Sequence, residues 1–243
     1  MSLNDKLLKA EAAAGALVPS EHFGVMLYEG DGSSSHSING GKYGAAAYFN
    51  GSNSRIDITR PFPNQQAYSV SFWFLAENNP SSSMRVFDSS ENDWSGMFQF
   101  IHASDGKGYF YVGNGSSSES GQITTVSITD GTWKHIVCVY DPDGGSTSGK
   151  TYINGSLDSS FNAAAASPND GNSSMTIGCM NRTSGTKDKF FEGKLDQVRF
   201  FTKAISSSEV STLYAETAST VESLDPLSED TTDTLQVLGD SSC

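Results

Sequence analysis

The sequence predicts an all-β protein whose strands form a two-sheet antiparallel sandwich, with one short helix at each end. Charged residues make up only 18% of the 243 residues, and there are 24 glycines. This composition favours short strands and frequent turns over helices. Apolar or alternating segments of strand length recur along the chain, separated by Gly, Ser, Asn and Asp. That spacing is typical of an antiparallel sandwich.

The most informative segment runs from Thr132 to Ser159. Residues 133–140 (WKHIVCVY) form an apolar and β-branched run, which predicts a central strand with a neighbour on each side. Asp141-Pro142-Asp143-Gly144-Gly145 then ends the strand. Residues 150–153 (KTYI) are expected to pair back onto it, and Asn154-Gly155 is the strongest signal for a two-residue hairpin turn.

Other segments predict strands on both sides of this pair. Residues 46–58 read as strand, Asn-Gly turn and strand, and residues 68–75 (YSVSFWFL) alternate before becoming wholly apolar. Further strands are predicted at 23–28, 85–88, 96–101, 108–112, 122–128, 175–179 and 190–201. Ser206 and Glu209 form a capping box that opens a short helix after the last strand.

Several of these motifs resemble one family. Trp133-Lys134-His135 followed by the strand and Tyr152-Ile153-Asn154-Gly155, the segments 46–58 and 68–75, and Gly193-Lys194-Leu195-Asp196 with the capped helix resemble laminin G-like (concanavalin A-like) lectin-glucanase domains. The resemblance covers about residues 23–215 and implies a jelly roll. We therefore predict a helical attachment or oligomerisation segment at 1–20, the sandwich at 21–215 and an acidic tail or linker at 216–243.

Charge and hydropathy restrict the partners. The net charge is −13, and residues 216–243 hold seven acids and no base. Neither the tail nor the body offers a basic face for a phosphate backbone, so we expect no nucleic acid partner. No stretch approaches the roughly 20 apolar residues of a membrane span. The N-terminus is interrupted by Asp5, Lys6, Lys9 and Glu11, so we expect no ordinary secretion signal.

The sequence predicts no enzyme. Sugar-cleaving relatives of this fold carry acids at E-x-D-x-E spacing on one strand, which places them on one face beside the scissile bond. No such triplet occurs here. His135 has no Ser or Cys nearby in the sequence that suggests a triad, and the resemblance implies a structural role for it, with Trp133 in the core.

A structural calcium is implied by the family resemblance. Many proteins of this architecture hold Ca²⁺ with an aspartate beside the last strand and carbonyls of a Gly-rich loop after the first strand, an all-oxygen shell that the ion accepts. Asp196 matches the aspartate, and Gly30 and Asp31 lie where the loop is expected. The alternative is a solvated aspartate and a plain turn.

Ligand-binding candidates are aromatic residues on polar segments. Trp94 lies between Asn92, Asp93 and Ser95, and a tryptophan in so polar a loop is poorly explained by core packing. Tyr109 and Tyr111 alternate onto one face of a strand and are a second candidate platform for sugar rings. The alternative is that the tyrosines cover the core and Trp94 packs beneath its own loop.

These expectations favour a non-enzymatic virion protein that presents a lectin-like domain to host-surface polysaccharide. The opening segment, SLNDKLLKAEAAAGALVPSEHF, resembles the N-termini of bacteriophage tail and particle-surface proteins. Residues 1–20 are then expected to mediate homo-oligomer formation or contact with other virion proteins, although a helix lying on its own domain is equally compatible. The alternatives are a secreted carbohydrate-binding module, which is extracellular, and a glycosidase with relocated acids.

Overall fold

The computed structural model contains two six-stranded antiparallel sheets packed face to face, as the sequence predicts. It describes residues 41–43, 46–59, 66–89, 98–113, 119–163, 174–182 and 186–217. The predicted helix at 1–20 and the predicted strand at 23–28 lie outside these residues. Within the described ranges, no α-helix has the length and hydrophobicity that crossing a bilayer requires.

The first sheet has the strand order β1-β14-β3-β8-β9-β10, and the second has the order β2-β11-β4-β5-β6-β7. Strands β12 and β13 pair with each other as a separate two-stranded sheet, which contacts the second sheet through β4 and β11. The strands are β1 Ala47–Asn50, β2 Ile56–Thr59, β3 Tyr68–Leu75, β4 Met84–Asp88, β5 Phe98–His102, β6 Gly108–Gly113, β7 Glu119–Ile123, β8 Lys134–Tyr140, β9 Gly149–Ile153, β10 Ser156–Phe161, β11 Ser174–Ile177, β12 Met180–Asn181, β13 Lys187–Asp188 and β14 Glu192–Phe201. A 3₁₀ helix covers Gly145–Thr147, and helix α1 covers Ser207–Tyr214.

The main core lies between the two sheets. Alternation along β3 and β8 sends one set of side chains inward, and Phe72, Phe74, Ile136 and Cys138 are fully buried there. The prediction that residues 133–140 form a central strand is confirmed for Lys134–Tyr140, because β8 pairs with β3 on one side and β9 on the other.

The Asn50-Gly51 turn does not join two paired strands. Strand β1 pairs with β14 in the first sheet, whereas β2 pairs with β11 in the second. The Asn50 side chain accepts hydrogen bonds from the backbone N–H groups of Ser52 and Asn53. It thereby stabilises a corner at which the chain passes from one sheet to the other. The local sequence predicts the turn but not the sheet to which each strand belongs.

The hairpin predicted at Asn154-Gly155 is confirmed between β9 and β10. Both residues have positive φ, 49° and 80°, as a type I′ turn requires. A Cβ atom on Gly155 would also lie 2.8 Å from Cδ1 of Tyr214. The turn therefore contacts helix α1.

We expect Gly155→Ala to lower the free energy of unfolding by about 1–3 kcal/mol, because alanine is strained at this φ and its methyl group meets the Tyr214 ring. Urea denaturation measures the change. Gly145→Ala is the matched control, since Gly145 has φ 57° with open space around its Cβ position. An equal loss in both variants would show that the contact with Tyr214 has no effect.

Helix α1 forms a third layer on the outer face of the first sheet. Its Val210 and Leu213 pack against Val137, Val139 and Phe201. The predicted capping box is confirmed: the Ser206 side chain accepts the N–H of Glu209, and the Glu209 side chain accepts the N–H of Ser206. The helix therefore covers apolar residues of the first sheet and not of the second.

Two predictions of burial differ from the structure. Trp133, expected in the core, is only half-buried, whereas Trp73 on β3 is 3% exposed. Glu216, which the sequence assigns to the acidic tail, forms a buried ion pair of 2.7 Å with Arg199. Glu216 therefore packs with the sandwich.

Candidate ligand-binding face

The second sheet carries two rows of side chains on its outward face. Residues paired directly across neighbouring antiparallel strands share a face. The strand register places Thr176, Asp88, Gln99, Tyr111 and Gly121 in one row across five strands. A second row contains Arg85, Ile101, Tyr109 and Ile123. The sheet thus brings two tyrosines and several polar groups to one surface.

Tyr109 and Tyr111 are stacked on this face. Their ring centroids are 6.1 Å apart with an interplanar angle of 28°. Both residues are half-buried, and neighbouring Ile123 is 38% exposed. The Tyr109 hydroxyl donates a hydrogen bond of 2.9 Å to Oδ2 of Asp105, and this bond raises the pKa of Tyr109. The rings therefore form an ordered apolar platform at the open side of the face.

Gly121 explains the position of the Tyr111 ring. A Cβ atom at Gly121 would lie 2.0 Å from Cδ1 of Tyr111, closer than any side chain permits. The ring therefore occupies the space above β7 that another residue would fill. An aromatic ring lying over a glycine presents a flat surface to the outside, which suits stacking on a sugar ring.

The other end of the face is polar and enclosed. Asp88, Gln99 and Thr176 are 0%, 3% and 1% exposed although they face outward. Nε of Arg85 lies 3.9 Å from Oδ2 of Asp88, so charge on the carboxylate is balanced within the protein. The Thr176 hydroxyl donates to the carbonyl oxygen of Cys179 at 2.7 Å. The accessible part of the face is thus its aromatic side, on β6 and β7.

Two of the five predicted ligand-site residues lie in the part of the chain that the structure describes. Tyr109 and Tyr111 share one face as their alternation predicts, whereas Asn92, Asp93 and Trp94 lie outside the described residues. Sequence reasoning missed Gln99 and Gly121. Alternation in FQFIH would have placed Gln99 on the outward face, but the packing of Tyr111 over Gly121 depends on the register of β6 and β7.

Asp196 is buried beside the last strand and is held by amides. Its Oδ2 accepts the N–H of Tyr43 at 3.0 Å, and the backbone of Lys42 and Gln197 also donates to the carboxylate. Burial raises the pKa of Asp196, while these hydrogen bonds oppose the rise. Calcium requires oxygen ligands, so these described partners of Asp196 do not form a calcium shell. Gly30 and Asp31 lie outside the described residues, and the calcium site stays a prediction.

A family model of laminin G type, described as the concanavalin A-like lectin/glucanases superfamily, matches residues 50–211. The chain belongs to this superfamily. The match extends from the end of β1 into helix α1 and so includes both sheets and the tyrosine face. A search of curated proteins found no significant match.

Solved structures share the superfamily fold at low sequence identity. Domain 4 of AbnA, an extracellular GH43 arabinanase from Geobacillus stearothermophilus, solved with arabinotriose, is 24% identical over 79% of this chain and 88% of that one, with a TM-score of 0.60. A heptameric SAP-like pentraxin from Limulus polyphemus is 17% identical over 69% and 80%, with a TM-score of 0.54. These likenesses concern the fold.

Receptor-binding regions of botulinum neurotoxins also match. The binding domain of neurotoxin DC, solved with rat synaptotagmin II, is 13% identical over 79% of this chain, with a TM-score of 0.55. This chain spans 46% of that structure. The lectin/glucanase sandwich is therefore one part of a longer chain in that neighbour.

The superfamily name includes glucanases, and His135 lies beside a serine hydroxyl. His135 Nε2 lies 2.9 Å from the Ser71 hydroxyl, a pairing seen between base and nucleophile. However, His135 is 2% exposed, and its ring lies beside Trp73 and Tyr214 on the face that α1 covers. Within the described residues its Nδ1 has no hydrogen-bond partner, so no third group orients it. This geometry agrees with a structural histidine.

Proposed function

We propose that this protein is a non-catalytic, lectin-like component of a virus particle that binds host-surface polysaccharide through the outward face of its second sheet. The observation that carries the binding proposal is the stacked Tyr109–Tyr111 pair, which lies on an open face beside Gly121. Flat aromatic surfaces beside polar groups are the usual recognition elements for sugars, whose rings have one apolar side.

The charges on the same face favour binding over hydrolysis. Its outward acids include Asp57 and Asp88, and each has a cation nearby: Arg55 Nε at 2.9 Å and Lys187 Nζ at 3.2 Å from Asp57, and Arg85 Nε at 3.9 Å from Asp88. A glycosidase needs one carboxyl group that is protonated and one that attacks or activates water. Asp57 and Asp88 are instead each paired with cations of the protein itself, which is not the arrangement of such a catalytic pair.

We expect Tyr109→Ala/Tyr111→Ala to lower the affinity for a bound polysaccharide by at least about tenfold, because two stacking surfaces are removed. Affinity electrophoresis in gels containing arabinan, laminarin or galactan measures the retardation of the full chain. Arabinan is included because domain 4 of AbnA was solved with arabinotriose.

Leu157→Ala is the control, since Leu157 is 56% exposed and lies on β10 of the other sheet. It is expected to migrate like the unaltered protein. Equal retardation of the tyrosine variant and the unaltered protein would exclude this face as the binding site.

The virion part of the proposal depends on residues 1–20, whose sequence resembles the N-termini of phage particle proteins. If these residues mediate assembly, light scattering should show an oligomer for the full chain and a monomer for residues 21–243. Monomers in both cases would exclude self-assembly through this segment. A secreted carbohydrate-binding module would then be the better interpretation.

A further inference from the structure

A cavity of about 270 Å³ opens at one end of the sandwich, and neither Tyr109 nor Tyr111 lines it. Its wall combines the end of β3, the start of β14 and β1 from the first sheet with the start of β4 and the end of β5 from the second. The residues that follow β3, from Glu77 to Pro80, form its rim. The cavity therefore lies at strand ends of both sheets, and its walls belong to the scaffold.

The lining has the mixture of groups that a sugar residue requires. Tyr48, which is 36% exposed, supplies an aromatic surface, while Leu75, Pro80 and Met84 supply apolar contacts. The exposed side chains of Glu77 and Asn78 offer a carboxylate and an amide group to hydroxyls. Small-molecule sites likewise combine apolar walls with a few converging polar groups.

Two features restrict the charge of the ligand. Glu77 and Glu192 contribute two carboxylates to the lining, and Lys194 contributes one ammonium group, so an anionic ligand meets a net negative wall. At the inner end, His102 is 1% exposed, and its burial lowers its pKa to about 4. The histidine is therefore neutral at pH 7 and does not offset the carboxylates.

A metal ion is disfavoured by the same residues. Within the described part of the chain, no group of three or more His, Cys, Asp or Glu residues is arranged to hold a metal. Lys194 also brings a positive charge into the lining. The volume is close to the lower limit of about 300–1,000 Å³ for small-molecule sites, which suits one sugar residue rather than an oligosaccharide.

We propose that this cavity is a second ligand site, which binds a single neutral sugar residue and discriminates against uronic acids. Tyr48 stacks on the apolar side of the ring, the Glu77 carboxylate and the Asn78 amide bind hydroxyl groups, and Met84 contacts the inner edge. The site is independent of the tyrosine face on the second sheet, and the inference does not require that face to bind polysaccharide.

The test uses the full chain with D-glucose, D-galactose, D-mannose and L-arabinose, and with D-galacturonate as the anionic match of galactose. Binding is measured by saturation-transfer NMR and by titration of protein chemical shifts. We expect at least one neutral sugar to bind, and galacturonate to bind at least about tenfold more weakly than galactose because like charges repel.

Two sets of variants locate the binding. Tyr48→Ala is expected to weaken the bound sugar about tenfold, and Leu157→Ala is expected to leave it unchanged. Glu77→Gln/Glu192→Gln should remove the discrimination against galacturonate. Because these side chains are exposed at the rim, a melting temperature close to that of the unaltered protein shows that the variants are folded.

The inference is overturned if no neutral sugar in the panel binds, or if Tyr48→Ala binds as tightly as the unaltered protein. Tyr109→Ala/Tyr111→Ala is measured in the same titrations. Loss of monosaccharide binding in that variant alone would place the sugar on the sheet face, which would contradict the cavity site and retain the proposed polysaccharide site.

Discussion

Glu216→Gln is expected to lower the free energy of unfolding by about 3–5 kcal/mol, because it leaves the buried Arg199 guanidinium without its counter-charge. The two side chains are 1% and 4% exposed, and Nη1 of Arg199 lies 2.7 Å from Oε1 of Glu216. Gln197 Oε1 accepts a second hydrogen bond from Arg199 at 3.1 Å, but a neutral amide does not balance the charge. Urea denaturation at pH 7 measures the loss.

A double variant separates the charge from the packing. Arg199→Met/Glu216→Leu removes both charges and keeps comparable volume, so we expect it to be more stable than Glu216→Gln. The backbone carbonyl of Glu216, which accepts the Tyr43 hydroxyl at 2.8 Å, is present in both variants. A loss below about 1 kcal/mol in Glu216→Gln, the value of a typical exposed pair, would show that the pair is solvated.

Acidification from pH 7 to pH 5 is expected to destabilise the protein through His102 and His135. Burial lowers the pKa of His102 to about 4, and burial followed by the charge of Arg199 lowers that of His135 to about 3, from 6.5. Because each histidine has a lower pKa in the folded than in the unfolded protein, the free energy of unfolding has its full value above pH 6.5. It falls as the pH drops from 6.5 towards 4 for His102 and towards 3 for His135. Each histidine then costs about 2 kcal/mol at pH 5.

Histidine variants test the source of this pH dependence. His102→Gln and His135→Gln are expected to be less stable at pH 7, since each ring has packed partners, Phe74 for His102 and Trp73 for His135. Each variant should nevertheless lose about 2 kcal/mol less than the unaltered protein between pH 7 and pH 5. An identical loss in the variants and the unaltered protein would assign the acid sensitivity to carboxyl groups.

Local patterns predicted much of the fold. Alternation and turn residues located β3, the β8–β9 pair and the Asn154-Gly155 hairpin, because each depends on contacts within a short segment. The sequence also predicted β7 at residues 122–128, whereas the strand is Glu119–Ile123. Its bounds depend on pairing with β6, which the local pattern does not contain.

The candidate sites depend on contacts between distant segments, which local sequence patterns do not contain. Alternation placed Tyr109 and Tyr111 on one face, but the open space over Gly121 arises from strand register. In the sequence, Glu216 is the first residue of an acidic segment, and only the folded structure places it beside Arg199. The cavity at one end of the sandwich is lined by residues from five strands and from the segment after β3. No single motif therefore predicts it.

Hydroxyl-radical footprinting of the full chain, with and without a retained polysaccharide, shows whether the outward face of the second sheet binds glycan. We expect oxidation of Tyr109 and Tyr111 to fall when polysaccharide is bound, while that of Tyr214, which is 41% exposed beside the first sheet, does not change. Unchanged oxidation of both tyrosines, with protection at Trp94 or elsewhere, would contradict it.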